Sequence, residues 1–349
     1  MTTPAVSSPP LVVRFGAFGD MILIIPMLKV LSRRYGQPCE VISSGAWTEP
    51  LLQRVPAAGR RLLLTSRRAP YWFNRSQRQL VAWLRQRPAG PVYVFEPDKK
   101  CHWLLQRGGV KPAWICSLRD LPRQPGEHIM THALRLARET PPALRGLPGI
   151  GVDPSFSPDA RPSLMEEDRR DCREWLAQQG LAGAPLVLVQ PGNKKTMRRG
   201  ARRRGSNIKY WPEENWGRVI AGVRQDLPAS RVLICGSPAE RALAADIRRH
   251  SGSDGVLVAT DNLPIPRLFA LLELAHSMIS VDTGPAHAAA TMGCPLVVLF
   301  ARIDPQLYAP TATSGPVRLV TPDPALSEGS MSSISPETVL AAWRAVLPA

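Results

Sequence analysis

The sequence predicts an α/β protein made of two Rossmann-like domains, and three observations carry that expectation. Short β-rich runs alternate with helical patterns in both halves, as parallel sheets built from βαβ units require. The chain of 349 residues is about two domains long at roughly 150 residues each. Residues 140–162, with six prolines and three glycines, interrupt the alternation and read as the linker. Two such domains facing each other across a cleft is the simplest architecture. The bounds expected are a disordered leader at 1–10, a first domain at 11–160, a second at 161–334 and a C-terminal helix at 335–349.

In the first half the apolar runs at 11–15, 39–43, 61–65, 92–95 and 113–116 are the expected strands, and 21–35 and 76–87 carry the helical spacing. In the second half the strands fall at 186–190, 231–235, 256–260, 278–281 and 296–300. Helices are expected at 213–226, 239–250, 265–276 and 285–292. Ser335 followed by Pro336 marks the start of the last one, a good cap residue and then a proline at the first helical position.

Charge narrows the partners. The formal net charge is +16, which favours anionic ligands. The surplus is local: residues 51–95 hold nine Arg and no Asp, Glu or Lys, and residues 194–209 hold eight Lys/Arg and no acid. Outside these stretches basic and acidic residues nearly balance. Hydrophobic residues at 44% and charged residues at 21% exclude a mainly disordered chain. The six cysteines lie far apart without a CxxC pair and read as reduced thiols of a cytoplasmic protein. The first ten residues carry no signal-peptide pattern, and the longest uncharged apolar run, 21–28, is far short of a membrane span.

Four turns carry the chemistry. In RFGAFGD, 14–20, a strand runs through two glycines into a helix expected to begin at Asp20, placing a carboxylate where open α/β sheets bind ligands. An Asp capping a helix after a Gly turn is the plainer account. The spacing is not that of a dinucleotide GxGxxG, so no nicotinamide cofactor is expected. In QPGNKKTMRRGARRRGSNIKYWP, 190–212, a strand empties into a basic loop, where the backbone N–H groups of Gly192 and Asn193 with Lys209 are placed to hold a diphosphate. A solvated basic loop is the alternative. GSPAE, 236–240, sets Glu240 to accept from ribose hydroxyls or simply to stabilise a helix start. In SVDTGPAHAAATMG, 280–293, a buried strand ends at Asp282, Thr283 can cap, Gly284 permits close approach, and His287 stands in the first helical turn.

In order, GDxxxxxP at 19–26, PGN followed by KxWP at 191–212, GSPAE, and DTGxxHAAAxxGxP at 282–295 resemble the bacterial lipopolysaccharide heptosyltransferases of glycosyltransferase family nine. The resemblance covers residues 11–300. It implies a GT-B enzyme that moves a heptose from ADP-heptose to the growing core of lipid A, working as a peripheral protein at the cytoplasmic face of the inner membrane. Residue by residue it implies Asp20 as catalytic base and Lys209 as diphosphate ligand. Glu240 becomes the nucleoside-side carboxylate, and Asp282, Thr283, Gly284 and His287 the donor-binding turn. This chain differs from the family pattern at Gln190 (usually His), at Ala301 (usually Gly) and in the length and charge of the loop 193–209.

Transfer with inversion needs a base for the acceptor hydroxyl, a stabilised oxocarbenium-like centre and a home for the departing diphosphate charge. No His/Cys/Asp cluster has metal-ligand spacing, so neither metal nor cofactor is expected, with positive charge and a helix N-terminus acting in place of Mg²⁺. The expected partners are the nucleotide-sugar donor, a phosphorylated lipid A-core acceptor and an anionic membrane surface. Arg198, Arg199, Arg202, Arg203 and Arg204 are expected in a loop that orders over an anion, serving acceptor or membrane, and Trp72, between Tyr71 and Phe73 and among four arginines, is a second candidate contact. Aromatics packed beneath a basic helix would explain Trp72 equally. Three alternatives stay open: another nucleotide sugar serving a surface glycan, a non-hydrolysing sugar-nucleotide epimerase, and a non-catalytic polyanion binder. The loop's aromatics, Tyr210 and Trp211, sit at one end and form no stacking ladder, so no specific nucleic acid is expected.

Overall fold

The computed structural model describes residues 8–147, 151, 153–193, 196–197, 201–252, 254–301, 304–322 and 330–347, with the backbone alone at 201–203. The chain divides into two compact units, Met1–Ser163 and Leu164–Ala349.

The first unit holds a five-stranded sheet of β1 (Leu11–Val13), β2 (Cys39–Ser43), β3 (Ala58–Leu63), β4 (Val92–Val94) and β5 (Ile115–Ser117), in the order β3-β2-β1-β4-β5. Every pairing is parallel. The central strands are buried on both faces, Leu11, Val12, Val13 and Val92 through Val94 lying almost wholly out of solvent, which is why they read as unbroken apolar runs rather than alternating ones. The second unit holds β6 (Leu186–Gln190), β7 (Arg231–Cys235), β8 (Val256–Ala259), β9 (Ser277–Val281), β10 (Leu296–Leu299) and β11 (Val317–Val320), ordered β11-β10-β9-β6-β7-β8 and again parallel throughout. Counted from its own first strand, each sheet runs third, second, first, fourth, fifth, and the second adds a sixth at the edge. The order in which strands are added therefore reverses between β1 and β4 and between β6 and β9, the crevices where such sheets bind ligands.

Several expectations change on folding. The helix expected over 21–35 is two helices, Phe18–Leu23 and Ile25–Tyr35, broken at Ile24 where Pro26 cannot donate a backbone hydrogen bond. Residues 8–10, expected in a disordered leader, are packed: Ser8 is buried and the Pro10 carbonyl accepts from Glu40 N–H at 2.9 Å. The stretch read as a linker lies against the first unit, with Lys29 bonded to Asp159 (2.6 Å) and the Arg161 carbonyl, and Arg33 over the Phe156 ring. Strand β11 and the helices Thr48–Leu52, Lys99–Arg107, Ile129–Arg138, Glu166–Gln178 and Pro305–Tyr308 have no counterpart among the sequence expectations. β11 is a half-exposed edge strand with little apolar pattern to read, and Lys99–Arg107 buries only Cys101, Leu104 and Leu105.

The C-terminal helix Pro336–Arg344 starts as expected, Ser335 Oγ accepting from Thr338 N–H at 3.1 Å. It is not a separate appendage. Trp343 is fully buried in the core of the second unit and donates to Ser277 Oγ (2.8 Å), while Trp211 donates to the Ile334 carbonyl (3.0 Å). All six cysteines are buried and free. Among the described residues no helix is long and apolar enough to cross a membrane.

Candidate active site

At the carboxyl end of β1 the chain turns through Gly16 into the helix Phe18–Leu23. Asp20 is therefore the third helical residue rather than the first. Its carboxylate reaches back to accept from Ala17 N–H at 2.7 Å, which satisfies a donor that the helix itself leaves free. The other oxygen accepts from Arg14 Nη2 at 2.8 Å, and the side chain keeps 34% of its surface in solvent. Gly16 is required by this arrangement: a Cβ there would lie 2.3 Å from Asp20 Cβ and 2.9 Å from Arg14 Nε.

Arg14 is buried and doubly held. Nη1 donates to the Phe95 carbonyl at 3.0 Å, and Glu96 Oε2 stands 4.0 Å away while accepting from Phe15 N–H at 2.7 Å. Arg67 pairs with Glu96 (3.9 Å) and Asp98 (3.6 Å). Sequence reasoning missed Arg14 and Glu96 as parts of the site. Glu96 follows β4 as Gly16 follows β1, but only the adjacency of those strands brings the two turns together.

In the second unit three of the singled-out turns meet at the ends of β6, β7 and β9. Lys209 Nζ donates to the Asp282 carbonyl at 2.9 Å and pairs with the Asp282 carboxylate, joining segments 73 residues apart. Asp282 is buried, and His287 Nε2 lies 3.9 Å from its second oxygen. Gly192 lies against Glu240, since a Cβ there would come within 2.1 Å of Glu240 Oε1. Glu240 Oε2 accepts from Ser237 N–H (2.9 Å) and Oγ (2.7 Å), so this carboxylate closes its own helix start while Oε1 is buried without a hydrogen-bond partner.

Some expected roles fall differently. Asn193 N–H donates to Thr196 Oγ1 (3.1 Å), and the Asn193 side chain accepts from Asn207, which in turn receives Lys209 N–H. These bonds shape the turn and set Lys209. The helix after β9 begins at Gly284, so Pro285 is its second residue, and the Thr283 side chain makes no capping bond, its Oγ1 lying 3.2 Å from Ser280 Oγ. Gln190 donates to the Gly192 carbonyl (3.0 Å).

In the basic loop, 194–195 and 198–200 lie outside the described residues, as do the side chains of Arg202 and Arg203. Arg204 lies within a short 3-10 segment, Ala201–Ser206, and pairs with Glu213 (2.6 Å) and Asp246 (2.5 Å). Its charge is engaged within the second unit, an outcome hidden from the sequence because Asp246 is 42 residues away.

The family model of glycosyltransferase family 9 (heptosyltransferase) matches residues 106–328, well over half the chain, including every motif turn of the second unit. The chain belongs to this family. Escherichia coli (strain K12) lipopolysaccharide heptosyltransferase 3 is 25% identical over 198 residues, 56% of this chain and 51% of that protein, so the match spans about half the length of this curated relative. Among solved structures, E. coli ADP-heptose LPS heptosyltransferase II superposes with a TM-score of 0.74 at 18% identity, covering 97% of this chain and 98% of that one. E. coli heptosyltransferase WaaC with ADP-2-deoxy-2-fluoro heptose does so with a TM-score of 0.67 at 17% identity, covering 95% and 97%. This member of family 9 thus has the GT-B fold, two parallel-sheet α/β units. Asp20 lies outside the matched residues of the family model.

Proposed function

We propose that this family 9 protein is an inverting heptosyltransferase that takes ADP-heptose as donor and a phosphorylated lipid A-core sugar as acceptor, acting as a peripheral protein at the cytoplasmic face of the inner membrane. The observation that carries the reading is the meeting of the PGN, KYWP and DTG turns through Lys209 and Asp282, together with the family membership. In this reading Lys209 and the N-terminus of the helix Gly284–Met292 carry the diphosphate charge without a divalent metal. Gly192 makes room for Glu240, whose Oε1 has no other hydrogen-bond partner and accepts from the ribose of the nucleoside.

Asp20 is the general base. Its carboxylate takes the proton of the acceptor hydroxyl as that oxygen bonds to the anomeric carbon. The bond from that carbon to the diphosphate oxygen breaks, and ADP leaves with the electron pair. Arg14 positions Asp20 by holding one oxygen while Ala17 N–H holds the other, and its exposed fraction leaves the carboxylate open to a hydroxyl.

The test is a donor panel with purified protein and a core acceptor lacking the heptose, following ADP release and the anomeric configuration of the product. Transfer from ADP-heptose with inversion, dependent on acceptor, is the expected result. Transfer from a different nucleotide sugar corrects the donor, and conversion of a nucleotide sugar without any acceptor overturns the transferase reading.

A further inference from the structure

The first unit carries a surface that its reaction chemistry does not use. Tyr71, Trp72 and Phe73 form a single 3-10 turn between Pro70 and the helix Arg75–Gln86. Trp72 is 67% exposed and Phe73 87%, and Trp103, at 41%, reaches the same place from the helix Lys99–Arg107. Tyr71 packs edge-on against both tryptophans, with ring centres 5.3 and 5.4 Å apart, so the rings are held as one cluster rather than left loose. Together with Lys99 and Lys100 they line an open groove of 440 Å³.

Cations frame the cluster on every side that the contacts define. The Arg107 guanidinium stacks within 4.4–5.2 Å of the Tyr71, Trp72 and Trp103 rings. Arg78 donates to the Trp72 carbonyl, and Lys100 Nζ donates to the Ala69 carbonyl at 2.7 Å, tying the loop before the turn to the helix behind it. Arg75 and Lys99 are exposed beside them. No acidic residue occurs from 51 to 95, and Asp98 nearby is paired with Arg67.

We infer that this turn is a membrane-docking tip that inserts Trp72 and Phe73 into the headgroup layer of an anionic bilayer while Arg75, Arg78, Lys99 and Arg107 meet lipid phosphates. Exposed aromatics on an ordered turn cost free energy in water and are stabilised at the boundary between headgroups and acyl chains. Lys and Arg side chains around them reach back to the charged surface. A protein partner fits less well, because lysine is depleted at protein interfaces whereas Lys99 and Lys100 line this groove, and charge of a single sign around the rings suits an anionic bilayer. The inference is argued from this patch alone and stands or falls independently of the donor and acceptor proposed above.

The experiment is sedimentation of the intact protein with vesicles of phosphatidylcholine, and of phosphatidylcholine mixed with phosphatidylglycerol. Binding to the mixed vesicles that weakens with salt is expected, with a loss of about tenfold or more in Trp72→Ser/Phe73→Ser, whose melting curve serves as the folding control. Quenching of wild-type tryptophan fluorescence by brominated lipid, reduced in Trp72→Phe, reads insertion without relying on the double variant. The inference is overturned if the wild type ignores both vesicles or binds them equally, or if the double Ser variant binds as the wild type does. It is equally overturned if only Arg75→Gln/Arg78→Gln/Lys99→Gln loses binding, which would mean charge attraction without insertion.

Discussion

In both units a glycine after the first strand makes room for a carboxylate that closes a helix start, yet the two carboxylates end in different surroundings. Gly16 accommodates Asp20, which accepts from Ala17 N–H, and Gly192 accommodates Glu240, which accepts from Ser237 N–H. Asp20 stays a third exposed and has one cation beside it. Glu240 is buried, with Oε1 turned against Gly192, and Lys209 is paired with Asp282 instead. A carboxylate open to solvent can exchange a proton with a substrate hydroxyl. In the proposed function the same local device supplies a base at Asp20 and a nucleotide contact at Glu240, and the difference is made by what packs around each.

The largest effect expected is at Asp20. Asp20→Asn keeps an acceptor for Ala17 N–H, so folding should persist while turnover falls by roughly 10² to 10⁴, and Glu240→Gln should leave turnover at saturating donor far less affected. Steady-state kinetics on both variants checks the contrast; near-normal turnover in a folded Asp20→Asn protein removes Asp20 from the chemistry.

Next comes Lys209. Removing it in Lys209→Ala loses a charge-assisted contact of about 1.5–3 kcal/mol to the diphosphate and also strands the buried Asp282. Calorimetry with ADP and a denaturation curve separate the two: Lys209→Met/Asp282→Asn should recover stability, because no charge is left unpaired, without recovering ADP affinity. If ADP affinity survives in both variants, the pair serves only the fold.

The two glycines sharpen the comparison further. Gly16→Ala and Gly192→Ala each force a Cβ onto a carboxylate side chain, at a cost of about 1–3 kcal/mol. Adding Glu240→Ala should restore the stability of Gly192→Ala, because it removes the carboxylate oxygen the new methyl meets, whereas adding Asp20→Ala to Gly16→Ala should not, because alanine keeps the Cβ that stands 2.3 Å from the new methyl. Thermal melts with a turnover assay read both.

The smallest effect concerns the first unit at low pH. Hydrogen bonds from Arg135, at 2.8 and 2.9 Å, hold the Glu127 carboxyl down at about 2, against 4.5 for an ordinary glutamate. The stability this adds is fully present above pH 4.5 and is lost as the pH falls toward 2. Glu127→Gln should therefore destabilise by about 1–2 kcal/mol at neutral pH and by much less near the lower limit. Parallel denaturation curves across that window would show the gap closing; a gap independent of pH would mean the pair contributes no charge-dependent stability.

Unbroken apolar runs and caps were enough to locate ten strands, the helix Glu213–Asp226 and the Ser335 cap, because buried parallel strands and first-turn residues carry local signals. The turns around Asp20, Lys209, Glu240 and Asp282 were legible for the same reason: glycines, a proline and a capping acid must stand at fixed short spacing where a strand feeds a helix. Edge strand β11 and the short helices Thr48–Leu52 and Pro305–Tyr308 were not legible, since they bury too few side chains to impose a period, whereas Ile129–Arg138 buries five residues and carries a helical period that the sequence reading missed.

What the sequence by itself determined is the alternating order of strands and helices and the identity of the residues at each strand's carboxyl end. Tertiary structure alone decided which strand ends are neighbours. The order β3-β2-β1-β4-β5 puts Glu96 beside Arg14, the residue that holds Asp20, and β9 beside β6 puts Asp282 within reach of Lys209. It also took Arg204 out of the free basic loop by bringing Glu213 and Asp246 to it. The physical reason is that hydrogen-bonded caps and hydrophobic periods act over a few residues and are written locally. Ion pairs form between groups far apart in the chain, and only the packing of the sheet says which of them meet.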